Sequence, residues 1–61
     1  QISYFLLSAD EKKELKESLN TKHLPRILDQ DVIARYYGAT SGDIFRIVRE
    51  NAIYYRIVIN S

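Results

Sequence analysis

Residues 44–60 decide how this chain folds: Ile44-Phe45-Arg46-Ile47-Val48-Arg49-Glu50-Asn51-Ala52-Ile53-Tyr54-Tyr55-Arg56-Ile57-Val58-Ile59-Asn60. Two runs rich in β-branched and aromatic residues, 44–49 and 53–60, flank the short connection Glu50-Asn51-Ala52. That pattern predicts an antiparallel hairpin. Side chains of a strand alternate between its two faces. Across this connection, Phe45 and Ile47 group with Ile53, Tyr55, Ile57 and Ile59, an aliphatic and aromatic set that should face the helices. Ile44, Arg46, Val48, Tyr54, Arg56 and Val58 form the other set. It is too apolar for a plain solvated surface and carries two arginines, which predicts a sheet face left open in the isolated domain.

Working outward, Thr40-Ser41-Gly42-Asp43 is a turn cluster ahead of the hairpin. Before it, Asp31 is the expected N-cap of a short helix from Val32 to about Tyr37, and Gly38 supplies the left-handed residue that ends it. Leu24-Pro25-Arg26-Ile27-Leu28 reads as an extended edge piece, because proline cannot donate to a ladder. The charged run after Ser8 opens with Ser8-Ala9-Asp10-Glu11, a capping box that starts a helix at about residue 9. Leu15 and Leu19 give that helix one thin apolar stripe. Residues 3–7, Ser3-Tyr4-Phe5-Leu6-Leu7, read as a first strand. The fold class is therefore α+β: a two-layer β-α-β-α-β-β domain, a small mixed sheet packed on two helices on one face.

The chain's 61 residues hold one small domain, residues 1–61. A domain this size buries only about 60% of its unfolded-chain surface, so it is marginal alone. No cysteine is present, which excludes a disulfide framework, a zinc ribbon and a thiol nucleophile. An unstapled domain this small reads as intracellular, or as part of something larger. Gln1 in place of an initiator Met points to excision from a longer product. No apolar run is long enough to span a bilayer, and no signal-peptide pattern stands at the start. The net charge of +1 argues against a general polyanion binder. The charge is nonetheless uneven, with every lysine in the first half and all arginines but Arg26 in the second.

Little here looks catalytic. His23 is the only histidine, and Asp29 and Asp31 lie six and eight residues away without ligand spacing, so a solvated loop histidine is expected. The serines lack a nucleophile-elbow context. The two glycines of Gly38-Ala39-Thr40-Ser41-Gly42-Asp43 are not followed by the lysine of a phosphate loop. We expect no catalytic residue, metal, cofactor or small-molecule substrate. Arginine and tyrosine interspersed with valine suit a protein partner. The same residue types can stack unpaired bases, and scattered apolar groups can also mean nothing.

The series Leu24-Pro25-Arg26-Ile27, Asp31-Val32-Ile33-Ala34-Arg35-Tyr36-Tyr37-Gly38, Gly42-Asp43-Ile44-Phe45-Arg46-Ile47-Val48-Arg49 and Tyr55-Arg56-Ile57-Val58 resembles one family. It is similar to the small H-type subunit of archaeal RNA polymerase, the counterpart of the C-terminal domain of the fifth subunit shared by eukaryotic nuclear polymerases. The resemblance covers about residues 6–58. It implies the same β-α-β-α-β-β domain and a non-catalytic role. That role is docking on the largest subunit of a DNA-directed RNA polymerase, near the jaw that receives downstream DNA, to support assembly. Other polymerase subunits are the further implied partners; downstream DNA is met only through the complex, and no membrane is involved. Asp31, Ala34, Arg35, Tyr36 and Gly38 match the family's second-helix motif, Gly42 and Asp43 its turn, and Arg49, Tyr55 and Arg56 its hairpin.

Three departures mark a divergent member. Val32 stands where the family has proline, Glu50-Asn51-Ala52 replaces a longer loop with a Thr-Ala-Gly run, and residues 1–5 lack the family's opening His and Pro. The expected partner-binding residues are Arg35, Tyr36, Arg46, Arg49, Tyr54 and Arg56. The expected structural ones are Ser8, Glu11, Asp31, Gly38, Gly42 and Asp43. One of the adjacent Tyr36 and Tyr37 should point inward. The implied location is the nucleus in a cellular eukaryote, or the cytoplasm or a virion for an archaeal or viral source. The alternative reading is a small stand-alone nucleic-acid-binding sheet.

Overall fold

The computed structural model describes all residues, 1–61. In chain order the elements are β1 (Ile2–Leu6), α1 (Ala9–Ser18), a 3-10 turn (Thr21–His23), β2 (Arg26–Leu28), α2 (Val32–Tyr37), β3 (Ile44–Arg49) and β4 (Ala52–Ile59). The α+β class holds: a mixed four-stranded sheet in the order β1-β3-β4-β2, with two helices. β1 and β4 flank β3 antiparallel, while β2 runs parallel to β4.

Local chemistry sets the element ends. Ser8 Oγ accepts from the Glu11 N–H at 3.2 Å, and the Glu11 carboxylate accepts from the Ser8 N–H at 2.8 Å. Two of the four orphan donors at the start of α1 are thereby satisfied. α1 stops at Ser18, well before Pro25, because Asn20 caps the 3-10 turn by accepting from the Lys22 N–H. Asp31 accepts from the Ile33 N–H to open α2. Gly38 closes it at φ 67°, where a side chain would be strained.

The hairpin turn is tighter than the sequence suggests. Arg49 pairs with Ala52, so only Glu50 and Asn51 lie in the loop, both with positive φ. That is the backbone of a two-residue hairpin turn that matches strand twist, built here without glycine. The loop is one residue shorter than expected, and a one-residue shift moves every side chain of a strand to the opposite face. Phe45 therefore pairs with Arg56 and Ile47 with Tyr54, while Ile44, Arg46 and Val48 pair with Ile57, Tyr55 and Ile53. The expected grouping of side chains is corrected accordingly.

The two faces are covered by different helices. α2 seats Ala34, with Ile33 beside it, over Phe45, Ile47 and Val58, joined by Tyr4, Leu6 and Ile27. Phe45 is the largest fully buried side chain, and Tyr4 and Tyr37 meet its ring edge-on at 6.2 and 5.6 Å. α1 lies on the side of Ile44, where Leu15 and Glu11 face Arg46 and Tyr55. The reason is topological. β1 and β2 are parallel strands on opposite edges, so α1 must cross one face of the sheet, whereas α2 links antiparallel strands and can take the other. The helices are thus divided between the faces, and the fully open face read from the pattern does not exist as such. Ile44 and Val58, two of its expected members, are completely buried.

Candidate docking surface

What remains open is one end of the sheet. β3 begins under the helices at Ile44 and Phe45 and runs out to Arg49, which pairs with Ile2 on one side and Ala52 on the other. Neither short helix reaches this hairpin end. Ile2, Ile53 and Tyr54 are all exposed there, Ile53 by 57% and Tyr54 by 54%.

On the α2 side, a shallow hollow is lined by Ile2, Tyr4, Ile47, Arg49, Tyr54 and Arg56. The strand registers bring these residues together: Ile2 lies opposite Arg49, Tyr4 opposite Ile47, and Ile47 opposite Tyr54. The floor is apolar and aromatic, and the rim carries two guanidinium groups. Arg56 donates to the Arg26 carbonyl at 3.3 Å, which holds its side chain across β2. The ion pairs of the domain are Lys12–Asp43 at 2.8 Å and Arg46–Glu11 at 3.6 Å. Arg26, Arg49 and Arg56 therefore hold no carboxylate.

The expected partner-binding residues separate into three places. Arg49, Tyr54 and Arg56 share the hollow. Arg46 lies on the α1 side, over the Phe5 ring at 5.5 Å and against Glu11, so its charge is already engaged within the chain. Arg35 and Tyr36 project from α2, with Tyr36 81% exposed. Tyr36 meets Tyr37 edge-on at 5.0 Å, and the Tyr37 hydroxyl donates to the Tyr4 carbonyl at 3.4 Å, which links α2 to the margin of the hollow. Tyr37 is the inward member of the pair. Ile2 and Tyr4 were missed as site residues. The signal was there in the alternation of residues 2, 4 and 6, but it became readable only with the register of β1 on β3.

The structural residues are spent within the fold. Burial pushes the Asp43 carboxyl up, but the Lys12 ammonium and the Thr40 N–H outweigh it and hold the group below its ordinary value. Asp43 thereby pins α1 to the start of β3. Glu11 is lowered by its hydrogen bonds with the Ser8 N–H and hydroxyl, and further by Arg46. Gly42, at φ 96°, carries the turn and donates its N–H to the Val58 carbonyl. His23 is exposed at the end of the 3-10 turn.

The uncovered end of the sheet thus joins an apolar floor to unpaired arginines, residue types that are enriched at protein interfaces. Comparison with known proteins is specific. The family model described as "RNA polymerase Rpb5, C-terminal domain" matches residues 2–58, and the chain belongs to that family. It is 42% identical over 48 residues to the rpabc1 subunit of DNA-directed RNA polymerases I, II and III of Dictyostelium discoideum, covering 75% of this chain and 24% of that protein. With the RPABC1 subunit of Caenorhabditis elegans it shares 35% identity over 63 residues, 92% of this chain and 30% of that protein. With the DNA-directed RNA polymerase subunit Rpo5 of Methanothrix thermoacetophila it shares 33% over 64 residues, 93% of this chain and 82% of that protein. The chain thus spans less than a third of the eukaryotic relatives and most of the archaeal one.

Proposed function

We propose that this chain is a non-catalytic assembly module of a DNA-directed RNA polymerase. It docks on the largest subunit, near the jaw that receives downstream DNA, through the uncovered end of its sheet. The observation that carries this reading is the hollow of Arg49, Tyr54 and Arg56, in a chain whose relatives bear the names of polymerase subunits. Tyrosine and arginine over an apolar floor are the residue types that anchor interfaces, and a guanidinium suits bidentate pairing with a partner's carboxylate. Arg35 and Tyr36 extend the contact along α2. Chemistry belongs to the large subunits, and this chain contributes binding free energy and shape. Its place in the cell is that of the polymerase it serves.

The test is co-expression of the tagged chain with the large polymerase subunits. The largest subunit should be captured, and Arg56→Ala should weaken capture by about 2 kcal/mol while the domain stays folded. Unchanged capture would remove Arg56 from the interface, and no capture by the unaltered chain would end the reading. A stand-alone nucleic-acid-binding sheet predicts instead binding that falls steeply with salt. It is disfavoured because Arg46 is paired with Glu11 and turned to the other face, which leaves a poor basic patch.

A further inference from the structure

β4 is eight residues long, but β2 covers only its last part, pairing Arg26, Ile27 and Leu28 with Ile57, Val58 and Ile59. The direction of each backbone group follows from the bonds made. Val58 donates to the Asp43 carbonyl on the β3 side, whereas Ile57 donates to the Pro25 carbonyl and Ile59 accepts from the Asp29 N–H on the β2 side. Odd-numbered residues of β4 therefore aim their N–H and C=O groups away from β3. Ile53 and Tyr55 aim theirs at a side where no strand lies.

The ladder stops here for a chemical reason. In the parallel register, the donor to the Tyr55 carbonyl would be the N–H of residue 25, which is proline and has none. Before Pro25 the chain turns back on itself, Leu24 donating to Thr21 and His23 to Asn20, and Tyr55 receives nothing from it. The other outer edge is treated differently. On β1, the outward Tyr4 carbonyl is taken by the Tyr37 hydroxyl. Natural sheets guard their edges with lysine, proline, bulges or a covering element. Residues 52–56, Ala-Ile-Tyr-Tyr-Arg, carry neither lysine nor proline.

We propose that this open half-edge of β4 accepts an extended acidic segment of the partner as a fifth strand. The inference rests on the docking reading and names how the partner is held. Main-chain bonds to Ile53 and Tyr55 supply the pairing, as in other strand-addition complexes. Alternate side chains of the incoming segment fall on the two faces. On the face of Phe45 they meet Arg56, with Arg49 nearby and no carboxylate on either, while Arg26, in register with Ile57, lies on the opposite face. On the other they meet the exposed Ile53 and the half-buried Tyr55. The fitting segment alternates acidic with apolar residues. A second copy of this chain fits poorly, because edge-to-edge pairing would bring like-charged arginines together.

The test is amide NMR and hydrogen exchange on the isotope-labelled chain with two end-blocked nine-residue peptides, one alternating valine with glutamate and one alternating valine with lysine. The valine–glutamate peptide should shift the Ile53 and Tyr55 amides and slow their exchange at least tenfold, and the valine–lysine peptide should do neither. Arg56→Glu should invert that preference. Ile53→Pro deletes an outward N–H without touching the β3–β4 ladder and should abolish the protection; Arg56→Glu decides if the proline variant does not fold. Three results would overturn the proposal: equal protection by both peptides, peptide binding without protection at Ile53 and Tyr55, or protection that rises with the chain's own concentration alone. No polymerase subunit is present in this experiment. Failure here together with capture of the largest subunit would remove the added strand and leave the docking reading standing.

Discussion

The two ends of the sheet are built from similar residues and end up in opposite environments. At one end, Ile44, Phe45 and Val58 are completely buried between α1 and α2. At the other, Ile2, Ile53 and Tyr54 are each about half exposed or more, one turn of hairpin away. β-Branched and aromatic residues fill both ends, so composition does not distinguish them. The reach of two helices of ten and six residues does. A chain this small can close a core over one end of its sheet only. The other end keeps an interface-like composition with nothing of its own to cover it.

That contrast can be broken from the covered end. Phe45→Ala removes the ring that Tyr4 and Tyr37 pack against and should cost about 3–5 kcal/mol, enough to unfold most of the population of a marginal domain. Denaturant titration followed by far-UV circular dichroism measures it. Gly38→Ala meets no steric obstacle but must hold φ near +67°, and should cost about 1–2 kcal/mol. Ser8→Ala strips the cap from α1 and should lower stability by about 1 kcal/mol in the same titration.

A smaller effect sharpens the covered end by pH. The Asp43 carboxyl is held below its ordinary value of 3.8, so the unfolded chain binds its proton more readily than the folded one. Its stabilising contribution is present above about pH 4 and is lost as pH falls through the lowered folded value. Asp43→Asn should flatten this part of the acid-unfolding curve, and Lys12→Met should move the loss to higher pH. The smallest stability effect belongs to the open end: Tyr54→Ala should change unfolding free energy by no more than about 0.5 kcal/mol. It should nonetheless weaken capture of the polymerase more than any stability-matched change on α1.

Much of this architecture is legible in the sequence, and the part that is not rests on strand register and strand pairing. The Ser8–Glu11 box, the Asp31 and Gly38 caps, the Pro25 edge and both hairpin strands are written in local residue chemistry. The face assignment is not. It depends on whether the loop holds two residues or three, and the two-residue turn requires positive φ at Glu50 and Asn51 without the glycine that usually announces it. That single residue moves Tyr54 and Arg56 to the side of Phe45 and places Arg46 with Glu11. The arginines and tyrosines were therefore visible as candidates, but their division into one hollow, one internal ion pair and one helix surface was not. The contributions of Ile2 and Tyr4 depend on β1 pairing across the sheet, a contact that no local pattern encodes.

The central claim is that the bare hairpin end, and not a helix surface, meets the polymerase. Hydrogen exchange of this chain, free and assembled with the large polymerase subunits, tests it most directly. The account predicts new protection at Ile53 and Tyr55 and around Ile2 and Arg49, with little change along α1. Protection confined to α1, or no difference between free and assembled chain, would contradict it.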